Sequence, residues 1–166
     1  MNASQPDPKE KAKQLLAYLY SIREDRGAMA DLRCALSPTR RSRAWPWLAR
    51  VDGIGKPRIE TVAGLFAYHP NETDKGSLGT TCRQLAAKNN SFEARFRRLL
   101  LCDRDEVYKR VRPVILAARA NEIRVNYEQL YVDLWYWGER VKAAWAREYW
   151  GVEDEQAVIN AMESPA

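Results

Sequence analysis

Residues 126–151, NYEQLYVDLWYWGERVKAAWAREYWG, carry the clearest structural pattern in the chain. Their large apolar side chains recur every three or four residues, which is the spacing of one face of an α-helix: Leu130, Leu134, Trp137, Val141 and Trp145. Asn126 followed by Gln129 is typical of a helix start, and Gly151 is typical of a helix end. The stretch therefore predicts one long helix, with both tryptophans of that face packed in the core.

Two residues of this stretch lie outside that simple pattern. Trp135 is off the apolar face, which makes it a candidate for contact with a partner. Gly138 would lie inside the helix, where glycine costs about 1 kcal/mol relative to alanine. We therefore expect a close approach of a second helix at Gly138.

The same helical period recurs upstream. Pro57 is typical of a first helical position, and the apolar residues of residues 59–66 again follow the helical spacing. Residues 39–51 predict a short helix around Pro46, and Pro113 is expected to kink or divide its helix. No segment alternates as a β-strand does. We predict an all-α protein, a helical bundle in two packed lobes.

Charge and turn composition suggest how the chain is divided. The polar loop HPNETDKG, residues 69–76, is rich in turn-forming residues and is a candidate boundary between lobes. The predicted organisation is a flexible N-terminal segment at residues 1–9, a helical domain at 10–150 with possible lobes 10–69 and 77–150, and an acidic tail at 151–166.

Composition excludes several classes of protein. Of the 166 residues, 46% are hydrophobic and 30% charged, which is typical of a globular domain. The longest apolar run, residues 114–118, is far shorter than the roughly 20 residues of a membrane-spanning helix. The first ten residues are polar and do not resemble a signal peptide. We expect a cytoplasmic protein without membrane contact.

Metal-binding and catalytic side chains are few. Cys34, Cys82 and Cys102 are far apart and form no C-x-x-C pair, so buried, unpaired thiols are expected. The chain has one histidine, His69, which cannot form a histidine-rich metal site or a relay with a second imidazole. We predict no metal, no cofactor and no enzymatic activity.

Basic residues are concentrated in two segments. The chain contains 27 Lys and Arg against 22 Asp and Glu, a net charge of +5. Residues 33–58 hold seven bases against one acid, and residues 83–112 hold nine bases against four acids. Most are arginines, whose planar guanidinium matches phosphate geometry. This balance indicates a polyanionic partner such as nucleic acid.

Five short motifs occur in a characteristic order: Leu32-Arg33 with Ser37-Pro38, Lys56-Pro57-Arg58, Ser77-Leu78-Gly79, FRRLLLCDR at residues 96–104, and LWYWGER at residues 134–140. In this order they resemble the CasB family, the small subunit of the CRISPR Cascade surveillance complex of subtype I-E. The resemblance spans roughly residues 12 to 150.

The resemblance implies a non-catalytic assembly subunit. Members of that family are helical, lie as a pair along the complex and contact the subunits that carry the guide RNA. They stabilise the R-loop, especially its displaced non-target DNA strand, through basic residues. The implied partners are therefore other Cascade subunits, a second copy of the chain and single-stranded DNA.

The resemblance also implies candidate contacts for nucleic acid. Arg33, Arg58, Arg104, Arg112 and Arg140 occupy basic positions of the matched segments and are expected to line one backbone groove. The sequence departs from the family pattern in two places: residues 80–82 separate Gly79 from Arg83, and Leu101 stands where a basic residue can occur. Arg83, Arg97 and Arg98 are therefore added as candidates.

Two other functions remain open at this stage. A helix-turn-helix DNA-binding regulator would need a tight turn before its recognition helix, which residues 52–56 could supply. A helical adaptor would use the basic face for acidic proteins alone. Each arginine could also form an ordinary surface ion pair, which contributes only about 0–1 kcal/mol.

Overall fold

The computed structural model describes residues 7–151, and this part of the chain is built from helices and turns with one isolated bridge between Glu72 and Val125. The predicted all-α class is confirmed. None of the described helices is long and apolar enough to cross a membrane. The α-helices are α1 Pro8–Ser21, α2 Arg26–Arg33, α3 Trp45–Leu48, α4 Pro57–Tyr68, α5 Leu78–Lys88, α6 Phe92–Leu100, α7 Val107–Ala120, α8 Tyr127–Trp135 and α9 Glu139–Trp150.

Local capping explains where several helices begin. The side chains of Asp7, Asp25, Ser77 and Asn126 each accept a hydrogen bond from a backbone N–H in the first turn of the helix that follows. The cap at Asp7 means that α1 begins at Pro8, inside the predicted N-terminal segment. The rest of that segment, and the acidic tail after Gly151, lie outside the described residues.

The predicted single helix at residues 126–151 is wrong, because the chain divides into α8 and α9. Trp137 lies in the connection and donates from its Nε1 to the carbonyl of Cys102 at 2.9 Å. The apolar stripe continues across the break because both helices face the same core. Trp137 and Trp145 are buried there, as predicted.

The expected close helix contact at Gly138 is also wrong. Gly138 adopts an extended backbone with φ 166°, and a Cβ placed there would meet only the Tyr136 carbonyl, at 3.7 Å. The close approach occurs at Gly79 instead. A Cβ at Gly79 would lie 2.4 Å from the carbonyl oxygen of Trp145, so this glycine brings α5 against α9.

The two internal prolines are accommodated in different ways. Residues 39–51 form a 3₁₀ turn at Arg41–Ala44, the short helix α3 and a second 3₁₀ turn at Ala49–Val51. Pro46 lies in the first turn of α3, where no N–H donor is needed. Pro113 lies inside α7, which continues from Val107 to Ala120, so of the two expected effects, a kink or a division, the division does not occur.

Helix α4 lies at the centre of the packing. It contacts α1, α2, α7 and α8, and all of its residues from Glu60 to Ala67 are buried. Helix α1 packs on α8, and α5 packs on α9. Buried residues on both sides of the loop at 69–76 belong to one hydrophobic cluster.

Candidate nucleic-acid interface

Five arginines surround Tyr68 at the C-terminal end of α4. The guanidinium carbons of Arg33 and Arg112 lie 5.9 and 5.6 Å from the centre of the Tyr68 ring, within cation–π range. A cavity of about 440 Å³ beside the ring is lined by several further basic side chains and by no carboxylate. We call the following set the Tyr68 patch: Arg23, Arg26, Arg33, Arg112, Arg119 and Tyr68.

Contacts within the Tyr68 patch leave most of its donors unused. The Nε of Arg33 donates to the carbonyl of Ala67 at 3.1 Å, in the last turn of α4. Arg23 forms an exposed ion pair with Glu24 at 3.5 Å. Within the described part of the chain, the side chains of Arg26 and Arg119 are exposed and have no hydrogen bond or ion pair. The patch can therefore present several guanidinium groups to an anion.

Sequence reasoning identified only Arg33 and Arg112 of this patch. The signal for two others was present, because Arg26 precedes Arg33 by seven residues and Arg119 follows Arg112 by seven. Residues seven apart lie on the same face of a helix, so each predicted arginine has a basic neighbour two turns away, on α2 and on α7.

A second cluster surrounds Trp135 at the other end of α4. The guanidinium carbon of Arg58 lies 4.0 Å from the centre of the Trp135 ring, and the Lys11 ammonium lies 5.0 Å from it. The Nε of Arg58 is buried and has no hydrogen-bond partner among the described residues. These groups border a cavity of about 860 Å³, the Trp135 pocket, lined by Lys11, Gln14, Leu15, Tyr18, residues 49–52, residues 55–59, Tyr131 and Trp135.

Charge in the Trp135 pocket is predominantly positive. Four bases line it, and the single acid, Asp52, pairs with Lys56 at 2.5 Å. The hydrogen bond and the positive charge of Lys56 lower the pKa of Asp52. The guanidinium of Arg50 lies 5.5 Å from the ring of Trp47. The sequence indicated Trp135 as a partner-facing residue, but not its position against Arg58.

Arg104 makes contacts that stabilise the fold. Its Nη1 donates to the carbonyl of Trp135 at 3.3 Å, and its Nη2 donates to the carbonyl of Trp137 at 3.4 Å. The guanidinium therefore satisfies free carbonyls at the end of α8, where a cation also interacts favourably with the helix dipole. Through Trp135, the structure brings Arg104 near the cluster of Arg58.

The remaining candidates lie on α5, α6 and α9. Arg97 forms an ion pair with Glu93 at 3.3 Å and lies 5.3 Å from the ring centre of Trp150. The guanidinium of Arg83 lies beside Gly151. Within residues 7–151, the side chains of Arg98 and Arg140 are exposed and contact no other charged group or ring. Arg33 and Arg112 thus share Tyr68 as a neighbour, Arg58 and Arg104 share Trp135, and the single groove remains a prediction.

The turn at residues 52–56 does not connect two full helices. Asp52 and Gly55 adopt left-handed conformations with φ 52° and 75°, so the turn is tight. The helix before it, α3, is only four residues long and is flanked by 3₁₀ turns. The turn borders the Trp135 pocket instead.

The three cysteines and His69 contribute to the packing of the helices. All three cysteines are free and buried, as predicted, and burial raises the pKa of the Cys82 thiol. His69 ends α4, and its Nε2 lies 2.6 Å from the carbonyl oxygen of Ile123. Between Asp7 and Gly151, no three potential His, Cys, Asp or Glu ligands are grouped as a metal would require.

Comparisons with known proteins agree on one family. The family model described as CRISPR-associated protein Cse2 matches residues 28–150. A curated CRISPR-associated protein Cse2 from Thermus thermophilus is 33% identical over 112 residues, which are 64% of this chain and 64% of the length of that relative.

Solved structures show the same architecture. A crystal structure of a Cse2-family protein from T. thermophilus has a TM-score of 0.72 and 27% identity, covering 84% of this chain and 97% of that chain. The crystal structure of CasB from M. ruber has a TM-score of 0.67 at 21% identity, covering 90% and 97%, and it supports the fold alone.

Proposed function

Because the chain belongs to the Cse2 (CasB) family of CRISPR-associated proteins, we propose that it is a non-catalytic Cascade subunit that stabilises the R-loop by binding the backbone of the displaced non-target DNA strand. Its proposed partners are the subunits that carry the guide RNA, a second copy of itself and single-stranded DNA. Its proposed location is the cytoplasm.

The Tyr68 patch is the observation that carries this proposal. It gathers five arginines around one ring with a cavity that no carboxylate lines. Phosphate contacts position a nucleic acid without reading its sequence, which suits a strand whose sequence differs with every target. An R-loop is nearly balanced energetically against the duplex it replaces, so a few backbone contacts can decide whether it persists.

The first test is the salt dependence of binding between the full-length protein and mixed-sequence single-stranded DNA. Each phosphate neutralised contributes about 0.7 to the slope of log affinity against log salt, so three to five contacts predict a slope of roughly −2 to −3.5. The double variant R33A/R112A is expected to reduce the magnitude of this slope by more than one unit.

A second double variant separates charge from packing. R26A/R119A removes two charges from the Tyr68 patch that form no hydrogen bond or ion pair with described residues, so it should weaken binding to a similar extent without changing the helical signal. Arg95, exposed on α6 and outside the candidate set, provides the control R95A, which should bind as the wild type does.

In the assembled complex, the two double variants should shorten the R-loop lifetime more than they weaken retention of the guide RNA. Unchanged DNA affinity and an unchanged salt slope in both would show that the Tyr68 patch does not bind DNA. An unchanged R-loop lifetime as well would favour an adaptor that binds proteins alone, and a strong preference for one duplex sequence would favour a DNA-binding regulator.

A further inference from the structure

The Trp135 pocket has features that a site for phosphates alone would not need. We infer that it is a nucleotide subsite, which holds one base of a single strand against the guanidinium of Arg58 and the adjoining phosphates against Lys11, Arg50 and Lys56. The inference takes its ligand class from the proposed function, but it assigns a different place and a different mode of binding.

The position of Arg58 over the Trp135 ring supports a nucleotide base as the occupant of the pocket. The guanidinium carbon of Arg58 lies over the Trp135 ring, 4.0 Å from its centre, which is within stacking distance. Arg58 and Trp135 both border the cavity, so a bound strand can reach the guanidinium there. Splayed-out bases of single strands stack on guanidinium planes as they do on aromatic rings.

Size and charge of the cavity agree with a nucleotide. Its volume of about 860 Å³ lies within the range of roughly 300–1,000 Å³ that encloses drug-sized ligands. Among the described residues Arg50 and Lys11 form no ion pair, although the charge of Lys11 helps to lower the pKa of Asp52, whereas Lys56 pairs with Asp52 directly. Lys56 is also the N-cap residue of α4, but its side chain accepts no hydrogen bond from the first turn. The free N–H groups of that turn therefore add to the positive potential on this side of the pocket.

An acidic protein segment is the competing occupant. Carboxylates would pair with the edges of the Arg58 guanidinium and with the lysines. They would gain no binding energy from stacking on the flat face of the guanidinium. A base gains from that stacking, because every base has a π-face. The stacking at Trp135 therefore favours nucleic acid over an acidic peptide.

The test compares two fluorescent strands with the same number of phosphates, dT10 and a ten-unit strand of abasic spacers. Stacking of one base is worth roughly fivefold or more in affinity, so wild-type protein should bind dT10 at least about fivefold more tightly. R58K keeps the charge but loses the plane, and it should remove at least about fivefold from this ratio. R95K makes the same type of substitution at an exposed arginine of α6 that lies outside the pocket, so its ratio should match the wild type.

Photo-crosslinking gives a readout that does not depend on affinity ratios. Replacing thymines of dT10 by 5-iododeoxyuridine and mapping the adducts by mass spectrometry should place crosslinks in peptides that contain Tyr131 or Trp135. Circular dichroism and thermal melting of R58K should match the wild type, which excludes a loss of folding as the cause.

Each contrary outcome has a distinct meaning. If R58K leaves the ratio unchanged and crosslinks fall only near Tyr68, the base subsite is wrong while the proposed function stands. If wild-type protein binds neither strand at any salt concentration, both proposals are wrong. If a decaglutamate peptide binds more tightly than either strand and loses its affinity in R58K, the pocket belongs to an acidic protein partner.

Discussion

Gly79 sets how closely α5 approaches α9. A Cβ at this position would lie 2.4 Å from the carbonyl oxygen and 2.8 Å from the Cα of Trp145, and backbone atoms cannot rotate away. We expect G79A to lower the free energy of unfolding by about 1–3 kcal/mol, the usual cost of overpacking. Urea denaturation of the purified protein measures this change.

The matched control is Gly138, where a Cβ would meet no atom closer than 3.7 Å and the extended backbone suits any residue. G138A should therefore unfold within about 0.5 kcal/mol of the wild type. Equal effects of the two substitutions would show that α5 and α9 are not held at this distance. The contact gives the Ser-Leu-Gly motif a structural role, since the backbone N–H of Ser77 also donates to Glu148 of α9, at 2.9 Å.

Asp133 is a buried carboxylate in the core between α8 and α9. Burial raises its pKa above the ordinary value of 3.8, although hydrogen bonds from Trp145 at 2.7 Å and Gln129 at 2.8 Å oppose the shift. A raised pKa in the folded state means that the stabilising contribution of this group is complete below pH 3.8. The contribution is then lost as the pH rises through the folded-state pKa.

We therefore expect wild-type protein to lose stability relative to D133N as the pH rises from about 4 towards 7. Asparagine can accept from Trp145 and donate to Gln129 after the amide of Gln129 is flipped, so the hydrogen bonds are kept. Urea denaturation of both proteins across this range provides the measurement. A pH-independent difference would mean that Asp133 is charged to the same extent in both states.

Single residues differ in how well the sequence predicts them. Burial of Trp137 and Trp145 followed from helical spacing, because the apolar face of a helix must be covered. The grouping of Arg26 and Arg119 around Tyr68 depends on how α2, α4 and α7 cross, and spacing within one helix contains no information about crossing. The contact of Arg58 with Trp135 joins residues 77 positions apart, and the sequence could not predict it for the same reason.

At the scale of elements, the break between α8 and α9 is held by Arg104. Its two hydrogen bonds reach the carbonyls of Trp135 and Trp137, on either side of Tyr136. Each is worth about 0.5–1.5 kcal/mol net, so we expect R104A to lower the free energy of unfolding by about 1–2 kcal/mol.

Arg140 is the matched control, because it is exposed on α9 and its side chain contacts no described charged group or ring. R140A should leave stability unchanged within about 0.5 kcal/mol. Thermal melting of both variants in the same buffer decides the matter. Should R104A melt with the wild type, its effect on DNA binding could be assigned to a direct contact alone.

Helix existence was predictable, but helix boundaries were less so. Apolar periodicity located the main helices, whereas the division at residues 136–138 was missed because the stripe runs unbroken across two helices that share a core. Pro113 was expected to kink or divide α7, but the helix continues past this exposed residue and stays packed through Val111, Val114 and Ile115. Burial of that face outweighs one missing backbone hydrogen bond.

In the whole molecule, the two basic sites lie at opposite ends of α4. Arg58 lies in its first turn and Tyr68 is its last residue, so at 1.5 Å per residue the two lie about 15 Å apart along the helix axis. The predicted lobes at 10–69 and 77–150 remain a proposal, and both the Trp135 pocket and the Tyr68 patch draw residues from either side of that boundary. Packing between the two halves therefore determines the geometry of both sites.

The spacing along α4 predicts a dependence on strand length. At about 3.4 Å per nucleotide, a stacked strand needs roughly five nucleotides to reach from Arg58 to Tyr68, so dT10 can occupy both sites and dT3 only one. Bridging makes the second contact intramolecular and strengthens binding beyond either site alone. We therefore expect wild-type protein to prefer dT10 over dT3 by at least about tenfold, measured by fluorescence anisotropy at low salt.

A strand bridges α4 only if the Trp135 pocket and the Tyr68 patch both bind it. This requirement distinguishes bridging from a simpler effect, in which a longer strand binds better because it offers more positions to a single site. R58A and R26A/R119A should each reduce the preference for dT10, and the combined variant should reduce it no further, because either change alone already prevents bridging. R95A should keep the full preference. If the reductions instead add in the combined variant, the Trp135 pocket and the Tyr68 patch bind DNA independently, and one strand does not span α4.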